Sequence, residues 1–249
     1  KKVFIKETGL SKYNMRFNAN LNLSKKLSAT ANLSYAFVDQ NLRETGLATE
    51  INPLYLSLIK SPFVASNEIS DDGQVSPNYA DVDIFGFSNP SVAINGVKAT
   101  NRNYRFTGSF GLDYEFNKNW NLGTIFGVNF GKVAENMFVP RKGISNDTLT
   151  NAIAESRMYS RANRLYTFYN DSRLTFTKDF NTANHLVARL GFRYLGTTTE
   201  SDFGLGYNSA TDELISVGTG VNALRQVGGE SGQSKWMSVY ANAEYAMRK

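Results

Sequence analysis

The chain has 249 residues, a net charge of +5, no cysteine, and 41% hydrophobic and 13% aromatic residues, with a mean hydropathy of −0.34. Without cysteine there is no disulfide framework and no thiolate metal site, and the scattered lysines and arginines form no stripe of the kind that grips nucleic acid. A helical membrane protein needs runs of about 18 apolar residues, and none occurs; a membrane barrel hides its hydrophobicity in alternation, so a modest average is compatible with one.

The chain opens with Lys1-Lys2-Val3-Phe4-Ile5-Lys6, which lacks the apolar core of a signal peptide. It closes on Met247-Arg248-Lys249, directly after a strand-like run. Both ends read as cuts within a larger protein.

From Tyr13 to Leu23 every odd position is apolar or aromatic and every even position is polar. That is period two over one whole stretch, the mark of a strand with two different faces. Residues 27–37 repeat it, with Leu27, Ala29, Ala31, Leu33, Tyr35 and Phe37 against Ser28, Thr30, Asn32 and Ser34. A long connection, about 38–103, follows. Inside it Asn52 stands where a helix cap would, Pro53 suits the first helical position and Pro62 stops the run, so a short helix is expected at about 53–60. The same loop carries Tyr55, Phe63, Tyr79, Phe85 and Phe87. These rings would pack the loop down, touch a partner or contact a ligand. Asp71-Asp72-Gly73 reads as a turn, since the other ligands of a calcium loop are missing.

Alternation returns at 104–116, where Tyr104, Phe106, Phe110, Leu112, Tyr114 and Phe116 oppose Arg105, Thr107, Ser109, Asp113 and Glu115. It continues at 120–130, with Trp120, Leu122, Phe126, Val128 and Phe130 aligned. A second long connection, about 131–164, holds a second expected short helix near Leu149 to Met158. Strands then follow at about 165–176, with Tyr166, Phe168, Leu174 and Phe176, and at 185–195, with Leu186, Leu190, Phe192 and Tyr194 against Arg189 and Arg193. The third long connection is about 196–234, and the last strand, 235–247, aligns Met237, Val239, Ala241, Ala243, Tyr245 and Met247.

These stretches of about eleven to thirteen residues exceed the usual soluble strand of about five or six. At about 3.3 Å per residue and a tilt near 45°, each crosses a bilayer's hydrocarbon layer. Short links at Ser24-Lys25-Lys26, Asn117-Lys118-Asn119 and about 177–184 alternate with the three long ones, as in outer-membrane barrels, whose periplasmic turns are short. Rings gather near strand ends: Tyr35, Phe37, Tyr104, Phe116, Trp120, Phe130, Phe176, Tyr194 and Tyr245 are expected at the lipid–water boundary, with Phe110 and Phe126 nearer the middle. Seven strands would leave open edges in lipid, where each unpaired backbone group costs several kcal/mol. The remaining barrel strands are expected from the parent chain or another copy, so residues 1–249 form part of one all-β, antiparallel transmembrane barrel.

The polar face carries the substrate or lumen candidates Arg16, Asn18, Asn20, Arg105, Arg189 and Arg193. They would form a solvated, mutually paired lining that also holds a plug, or touch substrate directly. Charges of mixed sign argue against a strongly anion-selective pore. Chemistry is not expected: His185, at the start of the sixth strand, has no serine partner in view and reads as a boundary residue. No glycine-rich phosphate loop stands between a strand and a helix. No catalytic, cofactor or metal site is expected.

The run from Asn101 through Phe116, then Trp120-Asn121-Leu122 and Phe126-Gly127-Val128-Asn129-Phe130, resembles the barrel of SusC/RagA-type TonB-dependent transporters of Bacteroidetes. So do Asn52-Pro53-Leu54-Tyr55, Lys60-Ser61-Pro62-Phe63 and Ser88-Asn89-Pro90. Each phrase alone is degenerate; their order and spacing are more specific. The resemblance implies a barrel of about 22 strands in the outer membrane, filled by an N-terminal plug, and coupling to TonB through an N-terminal part that this sequence does not show. It also implies a SusD-like surface lipoprotein acting as a lid and active import of oligosaccharides or oligopeptides. A passive porin and a non-transporting adhesin or structural barrel are the alternatives, and a plug with a TonB box upstream of Lys1 would separate them.

Overall fold

The computed structural model describes residues 5–181 and 184–247. The two terminal segments read as cuts, and the centre of the third short link, lie at least partly outside these described residues. In chain order the strands and helices are β1 (Gly9–Asn22), β2 (Leu27–Asn41), α1 (Pro53–Ile59), β3 (Asn67–Ile69), β4 (Val75–Tyr79), α2 (Pro90–Asn95), β5 (Lys98–Glu115), β6 (Trp120–Val139), β7 (Asp147–Thr148), β8 (Ile153–Ala154), β9 (Arg157–Asn181), β10 (Asn184–Tyr207) and β11 (Gln226–Met247). Seven of these strands form one sheet in the order β1-β2-β5-β6-β9-β10-β11, each antiparallel to its neighbours. Among the described residues no helix is long and apolar enough to cross a membrane, so any crossing falls to strands.

The register keeps the two faces separate across the whole sheet. One outward row runs Leu21–Ala29–Leu112–Thr124–Ser172–Phe192–Val239, and another runs Phe17–Leu33–Gly108–Val128–Phe168–Gly196–Lys235. A slip of one residue would turn every ring to the wrong side. The short turns hold this register with side-chain acceptors. The Ser24 hydroxyl takes the N–H groups of Lys26 and Leu27, both at 3.1 Å. The Asn117 side chain takes those of Asn119 and Trp120, at 2.9 and 3.1 Å.

The seven expected stretches coincide with these strands to within one residue at the first two short turns, where β1 and β5 stop before Leu23 and Phe116; β9 runs on to Asn181 in the third short link, and the strands also run further toward the long connections. The connections shrink to residues 42–97, 140–156 and 208–225. The added segments, such as Gly131–Val139, Arg157–Arg164 and Gly196–Tyr207, carry no ring on every second position. Past the depth of the lipid neither face needs to be apolar. The backbone ladder continues there while the alternation that marks it in sequence fades.

A second correction concerns residues 149–158, which form no helix. Asp147–Thr148 pairs with Ile153–Ala154, Leu149 N–H closes the turn on Ala152 C=O at 2.8 Å, and Arg157 already begins β9. The Asn208 side chain accepts from Glu155 N–H at 2.8 Å and donates to Ile153 C=O at 2.8 Å. It thereby satisfies, in extended form, backbone groups that a helix would have satisfied internally.

The long connections build the only apolar cluster of buried residues found among those described: Ile51, Leu56, Val92, Ala93, Val97, Val139 and Ile144. Both helices that feed it start on an Asn-Pro pair. Asn52 accepts from Leu54 and Tyr55 N–H at 3.1 and 3.2 Å, and Pro53 sits where no hydrogen-bonded N–H is needed. Asn89 caps α2 through Ser91 N–H at 3.0 Å. Its amide also donates to Ser66 and Ala80 C=O at 2.8 and 2.9 Å, tying three loop segments together. This second helix was not foreseen, although its Asn-Pro start repeats the first.

Candidate lumen-facing site

On the polar side of the sheet, glycines make room for large neighbours. Tyr240 lies directly across from Gly191, where a Cβ would meet the ring at 2.1 Å. Tyr169 lies across from Gly127. Both rings therefore lie down over the sheet and aim their hydroxyls at Asp171. Tyr169 donates to Asp171 Oδ2 at 3.1 Å and Tyr240 to Oδ1 at 3.0 Å. Arg193, directly opposite Asp171 in the register, donates through Nε at 2.7 Å and holds Nη2 at 2.6 Å from the same oxygen. Its guanidinium carbon stands 5.4 Å from the centre of the Tyr240 ring. Asp171 is only 8% exposed. A charge withdrawn that far from water persists when it is paired and hydrogen-bonded, and this one has both. The cluster ties β9, β10 and β11 together halfway along the wall.

Toward the long connections the same face opens into a cavity of about 650 Å³, lined by Asn103, Arg105, Asn129, Arg161, Asn163 and Glu230 among others. Amide, guanidinium and carboxylate groups alternate here, and Ser201 donates to Asn163 at 2.7 Å. Such a surface offers donors and acceptors to a polar, multiply hydrogen-bonding solute without a strong preference for one sign of charge.

The six lumen candidates fall into separate places. Arg105 lines the large cavity. Arg16 and Asn18 line a smaller cleft of about 210 Å³ with Asn32, Ser34, Thr107 and Ser109. Asn20 stands opposite Thr30 near the first short turn. Arg193 is committed to Asp171, and Arg189 lies between Thr175 and Asn242. Sequence reading missed Asp171, Tyr169 and Tyr240, which are remote in sequence from Arg193. Their signal was present: each sits on the polar parity of its strand, two of them facing a glycine. Arg161 and Asn163 were missed because the strand was taken to begin after them.

The loop candidates stay apart as well. Tyr55 is on α1 and exposed, Phe63 is 97% exposed, and Phe85 and Phe87 flank a turn at Gly86. Tyr79 lines a cleft of about 400 Å³ beside Val92 and Pro140. Asp83 holds that turn by accepting from Phe85 and Phe87 N–H at 3.0 and 2.9 Å. Asp72 accepts from Gln74 N–H at 3.3 Å in the β3–β4 hairpin, with Gly73 at φ +80°. This is a turn arrangement. His185 Nδ1 lies 2.5 Å from Asp179 Oδ1 beside the third short link.

On the outward face the rings stack in two strips. One contains Tyr13–Phe37 (6.2 Å between centroids), Phe37–Tyr104 (4.8 Å), Phe130–Tyr166 (5.2 Å) and Phe168–Tyr194 (5.9 Å). The other, next to the short turns, contains Tyr114–Phe116 (4.9 Å) and Trp120–Phe176 (4.8 Å). Tyr35 stands opposite Phe106 and Tyr245 opposite Leu186, both outward. The apolar residues between the strips are uncovered: Phe126 is 42%, Leu190 55% and Val239 73% exposed. Among the described residues no second layer lies over them.

No family model matches the chain. It is 28% identical over 138 residues to TonB-dependent receptor P26 of Formosa agariphila, a match covering 54% of this chain and 12% of that protein. In three dimensions it is similar to the RagAB peptide importer in its closed-closed state, with a TM-score of 0.71 and 14% identity over 97% of this chain and 26% of the other. It is also similar to the open-open state, with a TM-score of 0.68 and 15% identity over the same shares. The chain thus spans about an eighth of the curated relative and about a quarter of the solved one. The likeness to SusC/RagA-type transporters seen in the sequence is borne out by these matches. The fold is an all-β segment of that kind of barrel, and the proteins it resembles are a receptor and an importer rather than enzymes.

Proposed function

We propose that this chain is a section of the wall of a TonB-dependent transporter in the outer membrane, importing oligosaccharides or oligopeptides together with a SusD-like surface lipoprotein. The observation that carries the reading is the exposed apolar face: rings and aliphatic groups lie uncovered between two aromatic strips, while the opposite face is polar. In water such a face would drive aggregation or a second layer; acyl chains are the solvent that suits it. The remaining strands close the edges at β1 and β11, and a plug supplied by the rest of the parent protein occupies the polar side. The lipoprotein lid sits over the long connections, where Tyr55, Phe63, Tyr79, Phe85 and Phe87 offer apolar contacts. Substrate passes along the face that bears Arg16, Asn18, Asn20, Arg105, Arg189 and Arg193.

The full-length transporter tests this reading directly. Uptake of a labelled oligopeptide or oligosaccharide mixture is expected to collapse when the energy-coupling protein is deleted, and the surface lipoprotein is expected to co-purify with the barrel. Uptake that continues unchanged without coupling would make the barrel a passive pore.

A further inference from the structure

The lumen cavity of about 650 Å³ is not furnished evenly. At its β5–β6 end Arg105 stands directly opposite Gly131, and Leu165 faces Gly131 from the other side. Gly131 contributes no side chain, and the nearest atom a Cβ there would meet is Leu165 Cβ, at 3.7 Å. The result is a notch with a bare backbone floor, a guanidinium on one wall and an aliphatic side chain on the other. Asn129 and Val133 line the cavity on either side of the floor. Neighbouring strands lie about 4.8 Å apart, so the two walls stand about 10 Å apart at the backbone.

The hydrogen bonds at this end consume acceptors and leave donors. The Thr107 hydroxyl donates to Asn129 Oδ1 at 3.2 Å. Asn163 Oδ1 accepts from Arg161 Nε at 3.1 Å and from the Ser201 hydroxyl at 2.7 Å. The amide N–H groups of Asn129 and Asn163 then have no acceptor among the described residues, and Arg105 has neither an ion pair nor a hydrogen bond among them. Arg105 lies on an inner strand, so its surroundings in the sheet are complete. Ala36 and Gly131 stand directly across from it, and Ser34, Val38, Asn129 and Val133 diagonally. None of these is acidic. The carboxylates of the cavity are elsewhere: Glu200 is held by Arg164 at 3.2 Å, and Glu230 stands on β11 at the far side. The cavity as a whole carries both signs of charge, but the notch carries one.

We propose that this notch seats the C-terminal residue of an oligopeptide in transit. Its carboxylate lies on the Arg105 guanidinium, its side chain lies against Leu165 and Val133, and its last peptide carbonyl accepts from the Asn129 amide. The assignment rests on the transporter reading above and narrows its substrate class. The occupant follows from donors and shape together. A guanidinium fork meets a carboxylate bidentately, and the aliphatic groups beside it suit a side chain on the carbon that bears the carboxylate. An acidic sugar supplies the carboxylate but sets hydroxyls against Leu165 and Val133, which bond none of them. A neutral glycan leaves the charge of Arg105 unanswered. One recognised carboxylate on a wall of mixed sign confers specificity without making the passage anion-selective.

The test uses the purified full-length transporter and a set of synthetic oligopeptides, each supplied as the free acid and as the C-terminal amide, with bound peptide read by mass spectrometry. The free acids are expected to be retained on the order of tenfold better. R105Q is expected to remove that preference, and R105K to keep part of it, since an ammonium supplies the charge without the fork. G131V, which fills the floor and leaves the arginine in place, is expected to remove it as well. K118Q, in a short turn, is expected to keep it. Equal retention of acid and amide by the wild type, as when a carboxylate of the plug already sits on Arg105, would overturn the notch. So would a preference that survives R105Q or G131V, or a wild type that retains uronate-bearing oligosaccharides and no peptide. Peptide uptake that needs the coupling protein but ignores the terminus overturns the notch alone. Uptake indifferent to the coupling protein, with the acid preference intact, overturns the transporter reading and leaves the notch standing.

Discussion

The wall and the cap are stabilised by opposite means. In the wall, large apolar side chains stay exposed and order comes from the antiparallel ladder and from polar clusters such as that around Asp171. In the cap, built from residues 42–97 and 140–156 with the ends of β5 and β6, a small group of aliphatic side chains is fully buried around Leu56, Val92 and Ile144. Water drives the second arrangement through burial. The first needs every backbone group paired, because lipid offers none. The two regions should therefore fail independently, and under different substitutions.

The largest effect is expected in the cap. Gly143 has φ +80°, and a Cβ there would meet Val92 Cγ2 at 2.5 Å and Ala80 C=O at 3.3 Å. Gly143→Val adds the left-handed backbone penalty of about 1–2 kcal/mol to an overpacking cost of about 1–3 kcal/mol. Residues 53–95 should lose hydrogen-exchange protection while β9 to β11 keep theirs. Equal loss in both regions would mean that the cap and wall form one cooperative unit.

The converse break is Asp171→Ala. It leaves Arg193 without its carboxylate and the Tyr169 and Tyr240 hydroxyls without their acceptor. Removing one partner of a fully buried pair costs about 3–5 kcal/mol. Arg193 is 42% exposed, so solvent recovers part of this and about 1–3 kcal/mol is expected. The urea midpoint of the barrel in vesicles should fall, with the cap's exchange unchanged. Asp171→Asn should lose less, since its one carbonyl oxygen still accepts from Tyr240, while an amide nitrogen replaces the oxygen that took Tyr169 and Arg193. If Asn behaves like Ala, the charge on Asp171 carries the cluster and the Tyr240 bond adds nothing.

How much of each region the sequence disclosed follows the same division. The wall was legible because lipid on one face and polar groups on the other impose a period of two that nothing else requires. Leu21, Ala29 and Leu112 could each be put on the apolar face of its own strand before any register was known. The strand ends were not legible, because beyond Phe130 and Tyr166 no apolar medium enforces the period. The cap was legible only where local chemistry is strong, at Asn52-Pro53. Its core joins Val92 to Val139 and Ile144, contacts fixed by tertiary packing rather than by spacing. The Asp171 cluster lies between these extremes. Its parity was readable, but nothing in a single strand says that Tyr240 reaches across Gly191.

A smaller effect is expected on the lipid side. Asn170, Thr124 and Ser172 lie on the apolar parity yet bond one another: Thr124 and Ser172 hydroxyls are 2.7 Å apart, and the Asn170 amide donates to Thr124 Oγ1 at 3.3 Å and Ile125 C=O at 3.2 Å. Asn170→Ala leaves the hydroxyl pair intact and removes one amide from the bilayer. A loss of about 1 kcal/mol or less in the same urea assay is expected. A gain in stability would show that the amide's desolvation outweighs its bonds.

The smallest effect belongs to the ion pair between Lys142 and Glu68, which ties the β3–β4 hairpin to the second long connection. The Lys142 ammonium, by its hydrogen bond, holds the Glu68 carboxyl below the usual carboxylate range. A depressed folded pKa gives a contribution that is complete above the unfolded value of about 4.3 and is lost as pH falls through the lower folded value. Protection in residues 67–79, taken against the free-amide exchange rate at each pH, should therefore stay level between neutral pH and about pH 5, then fall as the medium turns more acidic. Both groups are exposed, so the change should stay within about two- to threefold. Lys142→Ala should bring the lower protection to neutral pH and flatten its acid dependence. A Lys142→Ala hairpin that still loses protection in acid as the wild type does would place the acid sensitivity elsewhere in the cap, and the pair would then contribute nothing to holding the hairpin down.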